Sequence, residues 1–337
     1  MKPLVSILIP AYNAEPWIAD TINSALRQSW PRKEIIVVDD GSTDKTFAVA
    51  QKFAGAEITV VTQKNAGASA ARNKAFSICK GDFIQWLDAD DLLGADKISR
   101  QMEIVEKNTD KKILFSSAWG RFMYRPQRAL FETTPLCADQ PPLEWLLRKM
   151  GQNLHMQPAT WLVSRELTLA AGPWDTRISL DDDGEYFCRV LLASSGVRFV
   201  PGPKSYYRMS GFGSLSNVDQ SDKKLASLWL SMQLHVGYLR SLEDSERTRA
   251  ACVTYLGNWL NYFHPSRPDI VGQVQQLAAT LGGKVELPGV RPKYVWIEKI
   301  CGRPVARRAQ ELLPNLKTSL LRSWDKVMFY LDRRAVV

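Results

Sequence analysis

A chain of 337 residues is long enough for a sizeable core, and because single cores stop growing near about 250–300 residues, one large domain with an extension is expected. An apolar fraction of 45% and a charged fraction of 23% fit an ordinary soluble globular protein. The net charge is +9, yet from Arg291 onward eleven Lys/Arg face four Asp/Glu, so +7 of it lies in the last 47 residues. The nearly neutral remainder argues against a general nucleic-acid binder, which needs a basic surface on its folded domain, and points to a basic tail with its own partner.

The five cysteines (Cys79, Cys137, Cys188, Cys252, Cys301) are widely spaced and form no C-x-x-C pair, which fits a reduced, cytoplasmic setting. Met1-Lys2-Pro3 runs straight into a short strand-like segment, so no signal peptide is expected. No apolar stretch approaches the roughly 18 residues of a spanning helix.

In chain order, Leu4 to Ile9 reads as a buried strand ending at Pro10, and Pro16 to Gln28 places Ile18, Ile22, Ala25 and Leu26 at helical spacing. Glu34 to Val38 is a second strand. Gly41-Ser42-Thr43 then makes a turn whose hydroxyl can cap a helix from Asp44 to Phe53. Ile58 to Val61, a helix through Cys79, Phe83 to Leu87, a helix from Ala95 to Glu106, and a strand from Lys112 to Ser116 continue the alternation. Such alternation predicts a mostly parallel, doubly wound α/β sheet with right-handed crossovers. From Phe122 to Gly151 the prolines at 126, 135, 141 and 142 predict long connections over one face, and order returns at Thr160 to Val163. Beyond about Ser221 the pattern is helical, with breaks expected at Pro265, Pro268, Pro288, Pro292, Pro304 and Pro314.

The apolar run before Asp88-Ala89-Asp90-Asp91 reads as a strand covered on both faces. It places three carboxylates at the sheet edge where open α/β folds bind ligands. Carboxylates crowded together repel unless a cation sits among them, which points to a metal-diphosphate site; the bland alternative is a solvated acidic turn. Asp88 and Asp90 are two apart and share one face of an extended segment, and oxygen-only ligands suit Mn²⁺ or Mg²⁺.

Four segments stand in register with these elements: Val5 to Asn13, Val37-Val38-Asp39-Asp40-Gly41-Ser42-Thr43-Asp44, Asn65-Ala66-Gly67 with Ala71-Arg72-Asn73, and Leu87 to Asp91. Together they closely resemble the family 2 glycosyltransferases of the GT-A fold, densely over about the first 115 residues and more thinly to about Ser216. The resemblance implies a GT-A nucleotide-diphospho-sugar transferase fold with a C-terminal helical extension. Residues 1–220 would form the catalytic domain, with 1–115 its nucleotide-binding half and 116–220 its acceptor half, and 221–337 the extension. It places Pro10, Tyr12, Asn13, Asp40, Asn65, Gly67, Arg72, Asp88 and Ala89 at the nucleotide. Tyr12 would stack on the base, Asp40 would accept the ring N–H of uracil, and Asp88 would reach the ribose or a metal-bound water. Asp90, with Asp88, would hold Mn²⁺ or Mg²⁺ on the diphosphate. From the residues alone Tyr12 is equally a packed loop aromatic, and Asp39/Asp40 a helix-capping turn; Lys64 reads as an ordinary surface cation.

Transfer also needs a base for the acceptor hydroxyl. Gly172-Pro173-Trp174-Asp175, followed by Asp181-Asp182-Asp183 and Arg189, resembles the family's G-x-F-D segment and later acidic pair; registered on Arg189, the base falls on Asp183, with Asp182 its nearest rival. Read alone, the three acids favour a helix N-terminus. Many relatives carry Tyr-Arg-x-His after the last sheet segment, whereas this chain has Tyr207-Arg208-Met209-Ser210, so diphosphate and water would have to complete a metal shell. His155 is close enough in sequence to the acceptor region to serve it, although a lone histidine is more often structural, and Trp161 and Trp174 either floor an acceptor site or pack the core.

In the tail, Leu313, Leu316, Leu320, Trp324, Val327 and Leu331 recur at helical steps beside Lys317, Arg322, Lys326, Arg333 and Arg334, with Pro314 expected in the first turn. Such a helix either lies in an anionic membrane interface or packs on the catalytic domain. The expected function is an inverting, metal-dependent transfer of a sugar from a nucleotide sugar, UDP-linked, to a saccharide or lipid-linked acceptor of an envelope or capsular polysaccharide, at or near the cytoplasmic face of a membrane. Two alternatives stand beside it: a non-catalytic nucleotide-binding or membrane-docked scaffold on a degenerate transferase fold, and a haloacid-dehalogenase-type phosphatase. Against the phosphatase, Gly41 occupies that loop's second essential Asp position.

Overall fold

The computed structural model describes residues 2–210, 221–287 and 289–334. Strand and helix alternate as expected: β1 (Val5–Ala11), α1 (Ile18–Leu26), β2 (Lys33–Asp39), α2 (Thr46–Gln51), β3 (Ile58–Thr62), α3 (Ala68–Ile78) and β4 (Phe83–Trp86). All seven residues of β1 are buried, because helices cover both faces of a parallel sheet. Its alternate side chains feed two cores. Ile7 and Ile9 join Ile22, Ile35 and Ile98 on one face, while Leu8 joins Ile36, Val38, Ile84 and Trp86 on the other.

After β4 come β5 (Leu92–Leu93), α4 (Lys97–Val105), β6 (Ile113–Phe122), β7 (Leu130–Phe131), α5 (Pro142–Gly151), β8 (Val163–Ser164), α6 (Arg165–Ala171), α7 (Asp182–Ala193) and β9 (Gly196–Arg208). The first sheet has the order β3-β2-β1-β4-β8. Its first four strands are parallel and β8 is antiparallel. The segment expected as a fifth parallel strand belongs instead to a second sheet, β5-β9-β6-β7, where β6 pairs in parallel with β9 across a register shift at Ser117/Ala118. The stretch from Phe122 to Gly151 is more ordered than its prolines suggest. Pro142 opens α5, a first-turn position where its missing N–H removes no helical bond.

The remainder is helical: α8 (Asp222–Leu242), α9 (Glu246–Trp259), α10 (Pro268–Thr280), α11 (Val295–Cys301) and α12 (Arg303–Arg334). Leu228, Leu256 and Ile270 of α8, α9 and α10 share the core that contains Trp86, so these helices pack into the same body as the first sheet. Pro314 does not begin the last helix. That helix starts at Arg303 and Pro314 lies inside it, where the proline has no N–H to donate to the preceding turn. The expected break at Pro288 falls outside the described residues. All five cysteines are free thiols, and among the described residues no helix is long and apolar enough to cross a membrane.

Candidate active site at the carboxyl edge of the first sheet

Because β1, β2 and β4 run parallel, the loops that follow them emerge together. Tyr12 stands 49% exposed just past β1. Asn13 behind it ties the first loop to the second: its N–H donates to Ser42 Oγ (2.9 Å) and its Oδ1 accepts from Thr43 N (2.8 Å). Gly41 is held at φ +70°, and a Cβ there would stand 2.8 Å from Asn65 N, so only glycine lets the loops after β2 and β3 approach this closely. Pro10 is buried at the end of β1, paired in register with Val38.

Asp40 is buried, and its carboxylate accepts from Gln63 Nε2 (2.7 Å), Ala66 N (3.0 Å) and Gly67 N (2.8 Å). In this structure it therefore shapes the loop carrying Asn65 and Gly67. Asn65 and Gly67 themselves are exposed. Asp39 is buried too, accepting from Ser42 N (3.3 Å) and Thr62 Oγ1 (3.0 Å). A phosphatase nucleophile has to be reachable by substrate, and this carboxylate is not.

The acidic cluster separates into three environments. Asp91 is fully buried and structural: it accepts from Arg208 N (2.8 Å) and from Gln157 Nε2, and burial, with Asp90 and Asp88 nearby, pushes its carboxyl well above the usual range. Ala89 is buried, its carbonyl accepting from Thr21 Oγ1 (2.8 Å). Asp90 has its carboxyl pushed up to about 6, mainly by burial and further by Asp88, against the hydroxyl of Ser210, which hydrogen-bonds to it. Ser210 occupies the position of the histidine in Tyr-Arg-x-His. Asp88 is more open and pairs with Arg72 Nη2 at 2.8 Å.

Arg72 joins the two halves of the site. Its Nη1 reaches Asp182 at 2.6 Å, its guanidinium lies over the Trp174 ring at 4.3 Å, and it is almost wholly buried. Burial opposes its charge, but Asp182 and Asp88 outweigh that and raise its pKa. This pairing occupies Asp182, whereas among the described residues Asp183 beside it has no such ion pair. Burial raises the Asp183 carboxyl to about 7, with Asp182 and Asp181 adding to the shift and Arg72 opposing it. Asp181 caps this arrangement in a left-handed conformation, φ 61°, accepting from Ser231 Oγ at 2.8 Å. A lysine at position 72 cannot span both carboxylates. We therefore expect Arg72→Lys to lower stability by on the order of 2 kcal/mol, less than full loss of a buried pair. Urea unfolding measures this, and an unchanged midpoint would show that the bridge does not hold α7 in place.

A divalent ion fits this donor set in part. Asp90 and Asp88 offer oxygen ligands suited to a hard cation, and burial raises the Asp90 carboxyl in spite of the Ser210 hydrogen bond and the Arg208 charge that oppose it, a cost that a bound cation would relieve. Among the described residues no group of three or more His, Cys, Asp or Glu is placed to hold a metal, so most of the shell would have to come from the ligand and water.

Three features had little or no sequence signal. Arg208 donates from Nε to the Asp90 carbonyl (2.7 Å) and lies over the rings of Trp17 (4.4 Å) and Phe122 (4.6 Å); its place in Tyr-Arg-x-His was the available clue. Trp119 of β6 carries His155, from the connection after α5, and Tyr207 of β9 edge-on at 5.8 and 6.0 Å, an array only the tertiary fold assembles. Among the described residues Asp39 Oδ1 and Arg72 Nε are buried without a hydrogen-bond partner, and Arg208 Nη2 faces Asp20 at 3.6 Å, pairings that only the closed fold reveals. By contrast, Trp161 and Trp174 are both buried. Trp161 stacks on Phe187 (5.3 Å) and Trp174 on Tyr186 (4.0 Å), so both pack the core and neither floors an acceptor site. Lys64 is exposed.

Known proteins resemble the chain in the same region. The model of the Glycosyl transferase family 2 matches residues 6–135. The putative teichuronic acid biosynthesis glycosyltransferase TuaG of Bacillus subtilis is 42% identical over 107 residues, 31% of this chain and 42% of that protein. An uncharacterized glycosyltransferase of Rickettsia typhi is 40% identical over 194 residues, 58% of this chain and 60% of that one. The UDP-Glc:alpha-D-GlcNAc-diphosphoundecaprenol beta-1,3-glucosyltransferase WfgD of Escherichia coli is 41% identical over 31% of this chain and 42% of its own. The matches thus span between 42% and 60% of these relatives' lengths. Among solved structures, S. aureus TarS 1-349 in complex with UDP-GlcNAc superposes with a TM-score of 0.64 at 18% identity, covering 92% of each chain, a likeness of fold. Residues 6–135, the motif-bearing segment, thus match the model of glycosyl transferase family 2, and the same region is similar to glycosyltransferases of several bacteria.

Proposed function

We propose that the chain transfers a sugar from a UDP-linked donor to a saccharide or lipid-linked acceptor in envelope polysaccharide synthesis, with inversion at the anomeric carbon and with Mn²⁺ or Mg²⁺. The observation that carries this is the Arg72 bridge, which sets the acids after β4 beside the acids opening α7. Tyr12 offers a face for the base, Asp88 and Arg72 flank the ribose and diphosphate, and Asp183 faces the acceptor. When bound at Asp90 and Asp88, the cation would neutralise charge developing on the departing diphosphate.

Asp183 takes the proton of the acceptor hydroxyl as its oxygen bonds to the anomeric carbon. The bond from that carbon to the diphosphate oxygen breaks, and UDP leaves with the electron pair. One base and one displacement give inversion. A carboxyl raised to about 7 by burial suits this task, since a base works best with a pKa near the operating pH. Trp119, with His155 and Tyr207, provides a surface on which an acceptor sugar could stack. The names of WfgD and TuaG support a bacterial envelope acceptor.

The test is UDP release from a panel of UDP-sugars with Mn²⁺ and a diphospho-lipid acceptor, with product configuration read by NMR. Cation-dependent release and an inverted product are expected. Donor binding without turnover on any acceptor would favour a non-catalytic scaffold, and no binding of any UDP-sugar would remove the donor assignment.

A further inference from the structure

The last helix is attached to the body by the side opposite its apolar stripe. Asp325 Oδ2 accepts from Tyr124 N (2.9 Å) and Arg125 N (3.3 Å), and its Oδ1 accepts from Arg125 Nε (2.7 Å). One turn on, the Phe329 ring lies 6.0 Å from Tyr124, and after another step Asp332 stands 3.5 Å from Arg125. Arg322 and Lys326 flank Tyr124 at 5.9 and 6.0 Å. Residues three and four apart share one side of a helix, so 322, 325, 329 and 332 form a single docked face.

Leu313, Leu316, Leu320, Trp324, Val327 and Leu331 lie away from this face, each between 49% and 64% exposed, with Trp324 at the margin, where Arg125 lies over its ring at 5.2 Å. The reading in which this stripe packs on the catalytic domain therefore does not hold. Trp296 and Ile300 of α11 are likewise exposed, at 61% and 75%. Monomeric proteins seldom leave so much contiguous apolar surface uncovered.

We infer that this face docks on an anionic lipid surface, and that the Asp325 clamp thereby holds the active-site edge toward the membrane. Three observations select this occupant. The net charge of +7 from Arg291 onward complements acidic headgroups, each nearby cation contributing about 1 kcal/mol, whereas it would oppose the approach of a second copy. The six residues advance by steps of 3, 4, 4, 3 and 4, and the two consecutive four-residue steps break the alternating three-and-four spacing that the seam of a two-stranded coiled coil needs. With no spanning helix among the described residues, such a helix would lie in the interface plane. The clamp also sits beside the site: Tyr124 packs on Trp17 at 5.5 Å, and Trp17 receives Arg208, which bonds to the Asp90 backbone. Lipid docking stands without the transferase reading; the value of the orientation rests on it.

The experiment is sedimentation of the full chain with phosphatidylcholine vesicles and with vesicles containing phosphatidylglycerol, at roughly 0.05 M and 0.5 M salt, where screening lengths differ several-fold. Binding to the anionic vesicles at least tenfold above the neutral ones, weakened by salt, is expected. Leu316→Glu with Leu320→Glu should abolish it while leaving melting temperature and UDP binding unchanged, since both side chains are exposed. Asp325→Ala should keep vesicle binding but lower transfer to a vesicle-embedded acceptor relative to a short soluble one, a split that separates this proposal from the activity itself. Absence of vesicle binding, or equal binding to neutral vesicles, overturns the anionic-lipid assignment. A dimer in lipid-free ultracentrifugation that the double variant dissociates makes a second copy the occupant instead.

Discussion

Asp183→Asn should lower transfer by about a hundredfold or more while leaving UDP-sugar binding intact, because the amide keeps the shape of the side chain and cannot take a proton. The pH profile supplies a second reading. With the Asp183 carboxyl raised to about 7, the wild-type rate should climb through neutral pH, and the residual rate of the variant should lose that limb. Stability should move the opposite way. An acid whose pKa is raised in the folded state stabilises that state only while protonated; the contribution is present at low pH and is lost as pH rises from the ordinary carboxylate range through about 7. Near pH 8 the charged Asp183 therefore opposes folding, and Asn relieves this, so the variant should melt higher than wild type there and differ less at pH 4. Asp182→Asn is the informative companion, since Asp182 is already engaged by Arg72 at 2.6 Å. If Asp183→Asn retains transfer and Asp182→Asn does not, the proton acceptor is Asp182.

Asp90→Ala should abolish turnover and the Mn²⁺-dependent part of UDP affinity, with the fold preserved. The side chain's raised carboxyl, at about 6, shows a charge held against burial, so removing it should not weaken folding at neutral pH. Calorimetry of UDP binding with and without Mn²⁺ separates the outcomes. Unchanged cation-dependent affinity in the variant would take Asp90 out of the metal site. Loss of cation-independent affinity as well would place it on the nucleotide directly. Ser210→Ala, which removes the hydroxyl bonded to Asp90, should shift affinity by far less, because that hydroxyl orients the carboxylate without replacing its charge.

The sequence by itself determined the local units and their chemistry. Strands β1 to β4 and β6, and helices α1 to α4 between them, follow from apolar periodicity, which is set by neighbours two to four residues apart, whereas the two-residue β5 gave no such signal. The acidic turn after β4 was legible because a motif of adjacent residues carries it. What faces what was decided only by tertiary structure. Arg72 and Asp182 are 110 residues apart, so which acid of the α7 trio is bound and which stays available could not be read from their order along the chain. Asp40 turned inward to three donors of the next loop for the same reason, as its partners come from another strand's connection. Period alone gives a helix two sides without saying which is covered: α12 was amphipathic in sequence, and only the Asp325 contact with Tyr124 and Arg125 fixed its polar side inward. A hydrogen bond between distant segments requires the fold to close the chain between them first, which is why the pattern of residues specified the parts and the packed structure specified their pairings.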